Sequence, residues 1–241
     1  MCLIPAACAM AADPTGDLLA KVEQTYRAAR SFRLAASYRT QTDDAHSRTY
    51  RISLNAERHG RLAISLTGSP ASDAFTLLND GKQFVIYSAA AKTILHAASG
   101  SAAQIDAASQ ILELLATQYE SFALRGQAIL VGSDSWTLNG APTLCTVLRI
   151  GVEGAGSTTE FWVDSTRFLV VRQIDRPGDS AKPQEYSALE LSDAQLDLAS
   201  GPTDFTFSQP AGAREVDWLL PPDLPLPGIP HLPHRPSGQS R

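Results

Sequence analysis

Apolar and polar positions alternate along most of this chain. Phe32, Leu34, Ala36 and Tyr38 fall on one side of a segment whose other side is Arg33, Ala35, Ser37 and Arg39. That period of two marks a half-buried strand. Similar short runs follow at Tyr50–Leu54, Leu62–Leu66, Phe75–Leu78, Phe84–Tyr87, Thr93–Leu95, Ile129–Val131, Trp136–Leu138, Leu144–Ile150, Thr158–Val163, Phe168–Arg176 and around Tyr186–Leu191, with Phe205–Phe207 as the last. Turn signals separate them. Asp80-Gly81 and Asn139-Gly140 both predict type I′ hairpins, whose central residues need positive φ. Asp164–Arg167 predicts another turn, and Ser69-Pro70-Ala71-Ser72 a longer loop.

Two windows change period. Leu19, Val22, Tyr26 and Ala29 recur at helical spacing, with Asp13 or Thr15 as cap and Pro14 suited to the first turn. Ile105, Ala108, Leu112, Leu115 and Tyr119 predict a second helix, opened by the capping box Ser101…Gln104. Two helices among about ten to twelve strands are too few for alternating βαβ units, so a parallel sheet is not expected. The expected architecture is a mainly antiparallel β domain.

The ends differ from the middle. Residues 1–12 are apolar or small, and Ala9-Met10-Ala11 matches an A-x-A cleavage pattern without a positive n-region, so they read as a remnant of a signal peptide. The residues before Cys8 make a poor lipidation signal. A single domain is expected over 13–218. Residues 219–241 contain seven prolines, at 221, 222, 225, 227, 230, 233 and 236, and predict an extended or disordered tail.

Composition narrows the function. The chain has 241 residues, 44% of them hydrophobic, and a formal charge of -5. A mildly acidic chain without Lys or Arg runs gives no support to nucleic-acid binding. No apolar run is long enough for a transmembrane helix. Of the three cysteines only Cys145 would survive cleavage after Ala11. It sits in a strand-like run and reads as a buried thiol.

Chemistry is sparse. The phosphate-loop, dinucleotide, zincin and nucleophile-elbow motifs are absent. The histidines at 46, 59, 96, 231 and 234 are scattered. Asp43, His46 and Ser47 share one polar loop, which lacks the geometry of a triad. Glu153, Glu160 and Asp164 have no visible partner for acid–base work. The chain is therefore expected not to be an enzyme, and no cofactor or metal is called for.

Several segments, in order, resemble the LolA/LolB-like superfamily of periplasmic lipoprotein carriers. They are the first helix with the strand from Phe32, the Asp80-Gly81-Lys82 hairpin, the second helix, Asn139–Cys145, Phe161–Asp164, Phe168–Arg172 and the closing Phe205–Phe207 with Pro210 and Gly212-Ala213. The resemblance spans roughly residues 15–216 and is closer to divergent branches than to the dedicated lipoprotein chaperone. It implies a strongly curved antiparallel sheet forming an incomplete β-barrel closed by helices. It also implies a soluble protein of the Gram-negative periplasm that uses no cofactor and carries lipid or acylated protein.

Two functions follow as expectations. One is a carrier or sensor that holds a lipid, acyl chain or lipoprotein-like amphiphile in an apolar cavity. Strand alternation nominates Leu34, Ala36 and Tyr38, Ile52 and Leu54, Leu62 and Ile64, Phe84 and Ile86, with Trp162 and Phe168, as its lining. Each buried CH₂ of a cargo chain gains about 0.8 kcal/mol. The other is a non-catalytic envelope interaction or structural module, without a ligand cavity, that docks a partner protein by an edge or by the tail.

Overall fold

The computed structural model describes residues 14–43, 46–58, 60–68, 74–98, 128–151, 158–176, 186–199, 201 and 204–216. They form one helix and twelve strands: α1 (Pro14–Ala28), β1 (Ser31–Asp43), β2 (His46–Glu57), β3 (Leu62–Gly68), β4 (Phe75–Asn79), β5 (Gln83–Ser88), β6 (Thr93–Ala98), β7 (Ala128–Leu138), β8 (Ala141–Gly151), β9 (Thr158–Asp164), β10 (Val170–Arg176), β11 (Tyr186–Leu196) and β12 (Arg214–Glu215).

All twelve strands belong to one sheet, ordered β12-β6-β5-β4-β3-β2-β1-β11-β10-β9-β8-β7. Two meanders run outward from a central β1–β11 pair. Every pairing is antiparallel except the two-residue β12–β6 contact, which is parallel. The order is linear. Among the described residues β12 and β7 are the two edges, and no ladder joins them. This corrects the expected incomplete β-barrel closed by two helices. The sheet is open, and α1 is the only helix among the described residues. The helix expected over 101–119 lies outside them, as do the remnant at 1–12 and the tail at 219–241.

Register sorts the side chains onto two faces. Phe32–Ala56–Leu62, Leu34–Leu54–Ile64–Leu77–Ile86 and Ala36–Ile52–Leu66–Phe75 form cross-strand rows on the inner face. α1 packs on this face. Its buried Leu19, Val22 and Tyr26 join the same core, and the Tyr26 ring meets Phe32 edge-on at 5.7 Å. The Arg58 guanidinium donates to the carbonyls of Tyr26, Arg27 and Ala29 at the helix C-terminus. Those carbonyls have no partner within the helix, and a cation there opposes the negative end of its dipole.

A second, smaller core lies on the outer face of β3–β6. Leu78, Val85 and Ile94 are covered there by Phe205, with Phe207 against Tyr87 at 6.1 Å. The Arg61 guanidinium sits 4.4 Å above the Phe205 ring, and Arg33 binds Asp204 at 2.8 Å. The expected strand over Phe205–Phe207 is therefore not a strand. Its alternation is real, but the buried side is met by a sheet face rather than by a neighbouring strand. The chain pairs only later, as β12.

The two Gly turns differ. Asn139 and Gly140 are both left-handed, at φ 54° and 75°, as a type I′ hairpin requires. At Asp80-Gly81 only Gly81 has positive φ, at 89°. The Asp80 carboxylate instead accepts from the amides of Lys82 and Gln83, each at 2.8 Å, which sets a side-chain-capped turn.

Candidate functional site

The nominated cavity residues lie in or against the main core. Ala36, Tyr38, Ile52, Leu54, Leu62, Ile64, Phe84, Ile86 and Trp162 are buried, and Leu34 and Phe168 are partly buried beside them. The nine from β1 to β5 share the inner face with α1. Tyr38 stacks on Tyr50 at 6.4 Å, and burial raises its hydroxyl pKa. Phe168 adopts a left-handed backbone (φ 56°), with Lys21 Nζ 5.2 Å above its ring. The register places Trp162 on the outer face, in a row with Arg172, Glu190 and Ser37.

An open trough of about 450 Å³ runs along that outer face. Two cross-strand rows make its floor: Glu190–Ser37–Arg51–Thr67, and Ala35–Ser53–Ser65. The floor exists because these positions carry side chains of one to three heavy atoms, except at Glu190 and Arg51. Of the nominated residues, only Ala36 and Ile52 reach it. The signal in the sequence was the polar half of the alternation, Ser37, Ser53 and Ser65, which reads as solvated surface.

Trp136 and Thr137 of β7 form the wall. They reach β11 because the β7–β8 turn is tied there. β10 pairs with β11 only at 187–190, which leaves the next stretch of β11 without that neighbour. Asn139 takes its place. Its side-chain amide accepts from Ala194 N–H at 2.9 Å and donates to Ala194 C=O at 3.1 Å, while its backbone N–H donates to Ser192 C=O at 2.9 Å. The Trp136 indole N–H donates to Leu191 C=O at 2.7 Å.

Charge is arranged around Trp136. The Arg172 guanidinium lies between two indoles, 5.0 Å from Trp136 and 4.5 Å from Trp162. Arg172 and Arg39 both donate to Glu190, at 3.2 and 3.1 Å. The Trp162 N–H donates to Asp134 at 3.0 Å and, with the Ser135 amide, holds that carboxyl below its usual pKa. Arg51 is exposed, and its guanidinium has no partner among the described residues.

The other chemical groups are engaged structurally. Asp164 accepts from the amides of Thr166 and Arg167 and from the Arg167 guanidinium. Asp175 accepts from Thr159, Gln173 and Ser187. Glu160 pairs with Arg149 across the β8–β9 ladder. Cys145 is a buried thiol, its pKa pushed up to about 11 by burial. The side chains of Asp43 and His46, and His59, Glu153, His231 and His234, lie outside the described residues. Among the described residues, no group of three or more His, Cys, Asp and Glu side chains is placed to hold a metal ion. No helix among them is long and apolar enough to cross a membrane.

The last feature is the edge strand β7. Ile129, Leu130 and Val131 are 57%, 55% and 46% exposed, and Leu144 on the neighbouring β8 is 64% exposed. Register puts Ile129 and Leu130 on opposite faces, so this edge is apolar on both sides.

No family's sequence model matches the chain, and no characterised protein matches it in sequence. Solved structures similar to it include Pseudomonas aeruginosa MucB in complex with MucA (14% identity, TM-score 0.49), where the match covers 80% of this chain and 61% of that one. An uncharacterised conserved protein from Thermus thermophilus is similar over 83% of this chain and 96% of its own (10% identity, TM-score 0.45). A LolA superfamily protein from Nitrosomonas europaea is similar over 80% and 97% (15% identity, TM-score 0.33). The last of these carries the name of the superfamily that the sequence resembles.

Proposed function

We propose that this chain is a non-catalytic interaction module of the bacterial envelope, which docks an extended segment of a partner protein along the free edge of β7. The observation that carries this reading is the exposed, two-sided apolar stretch Ile129–Val131 on an edge with no strand partner among the described residues. Edge strands are ordinarily blunted by charge, proline or brevity, because their open N–H and C=O groups recruit other chains. β7 is eleven residues long, and its first charged residue is Asp134. The register slips between Leu130 and Gly132, with Val131 as the bulged residue, which confines the regular edge to the residues before it. Strand addition suits such an edge. Main-chain hydrogen bonds supply affinity, and alternate side chains supply specificity. The carrier reading has less support, because the residues it needs lie in the core that also receives α1.

A photo-crosslinking residue at Ile129, with Lys82 on a distant hairpin as control, tests the proposal in envelope-expressed protein. The expected result is one discrete adduct from position 129 and none from position 82, with slowed amide exchange at 128–130 in the purified complex. An adduct without that protection, or no adduct, refutes strand addition.

A further inference from the structure

We infer that the outer-face trough is a binding site for a short saccharide, separate from the β7 edge. Trp136 has spent its N–H on Leu191, and Arg172 lies against its ring. What the indole adds to the trough wall is therefore apolar ring surface, not a donor. Ser37, Ser53, Ser65 and Thr67 line the floor with hydroxyls, each able to donate and to accept. Glu190 keeps acceptor capacity, but two arginines neutralise its charge. Arg51 adds one unengaged donor at the same row.

A ligand complementary to this set has an apolar flat face and many groups that both donate and accept. A pyranose has both, in its C–H face and its hydroxyls. An acyl chain would leave the hydroxyl floor unmatched. A phosphate, whose anionic oxygens chiefly accept, would use Arg51 and leave the indole idle. The volume, about 450 Å³, lies within the range of small-ligand sites, roughly 300–1,000 Å³. Pre-set geometry also favours binding. Trp136 is held at its N–H and against a guanidinium, and the hairpin carrying it is tied down through Asn139.

The test titrates the full chain with maltose, cellobiose and N,N′-diacetylchitobiose, following indole fluorescence and amide chemical shifts. The expected result is saturable, millimolar binding of at least one, with shifts at Ser53, Ser65 and Thr67. Trp136→Phe keeps a ring face and retains binding within a few-fold. Trp136→Ala weakens it about tenfold or more, the loss of one good contact. Should Trp136→Ala not fold, Ser53→Tyr decides the matter, since Ser53 is an exposed floor residue whose enlargement fills the trough. Absence of saturable binding by all three sugars, binding unmoved by Ser53→Tyr, or full displacement by inorganic phosphate overturns the inference. None of these outcomes bears on crosslinking at Ile129, so the two proposals fail separately.

Discussion

Asn139 offers the sharpest test of how this sheet is assembled, because one short side chain does the work of a missing strand. Its amide exchanges two hydrogen bonds with Ala194, which is fully buried. Asn139→Gly removes both bonds but keeps the left-handed backbone at φ 54° without strain. Each bond is worth about 0.5–1.5 kcal/mol net, and a buried polar group left unpaired costs about 1–3 kcal/mol. The Ala194 carbonyl retains a weak neighbour, Arg167 Nη1 at 3.5 Å, whereas the N–H loses the partner it has here. The expected loss is therefore about 2–4 kcal/mol. Asn139→Ala adds roughly 1 kcal/mol for a left-handed non-glycine residue. Urea unfolding monitored by tryptophan fluorescence reads both, as a lowered midpoint at unchanged slope. The ordering wild type, then Gly, then Ala is the signature. A Gly variant within about 0.5 kcal/mol of wild type, the usual size of a neutral surface change, would refute the bridging role. Because the same turn holds Trp136 against β11, Asn139→Gly also predicts weaker saccharide binding, even under conditions where the protein stays folded.

Two further predictions concern the cores. Phe205→Ala opens the outer core over Leu78, Val85 and Ile94 and should cost about 3–5 kcal/mol, with faster amide exchange in β12; a variant of wild-type stability would mean that the segment only rests on the sheet. The Cys145 thiol has a pKa raised from 9.0 to about 11, first by burial and then by the nearby Asp164 and Asp134 carboxylates. The folded state thus holds its proton more tightly than the unfolded state, and this contribution to stability, full below pH 9, is lost as pH rises toward about 11. Thiol reagents at neutral pH should label the native protein far more slowly than the urea-unfolded chain, and equal rates would show that Cys145 is open to solvent.

Much of the local structure was determined by the sequence alone. Alternation located the strands because a sheet with a buried inner face demands a period of two, and a slip of one residue would expose that whole face. The period of α1 and the Asn139-Gly140 turn were legible for the same kind of reason, since a helix stripe and positive φ are local requirements. Tertiary structure alone decided the rest. Which strands meet at the centre, β1 with β11, depends on pairs such as Phe32 with Leu196, far apart in the chain, that no local pattern encodes. Phe205 and Phe207 carried a strand's alternation yet cover a sheet face, because burial by a neighbour above and burial within a sheet leave the same trace in the sequence. The trough was hidden for a related reason. Ser37, Ser53 and Ser65 read as solvated surface one strand at a time, and they become a floor only when register aligns them and Asn139 brings Trp136 across to wall them in.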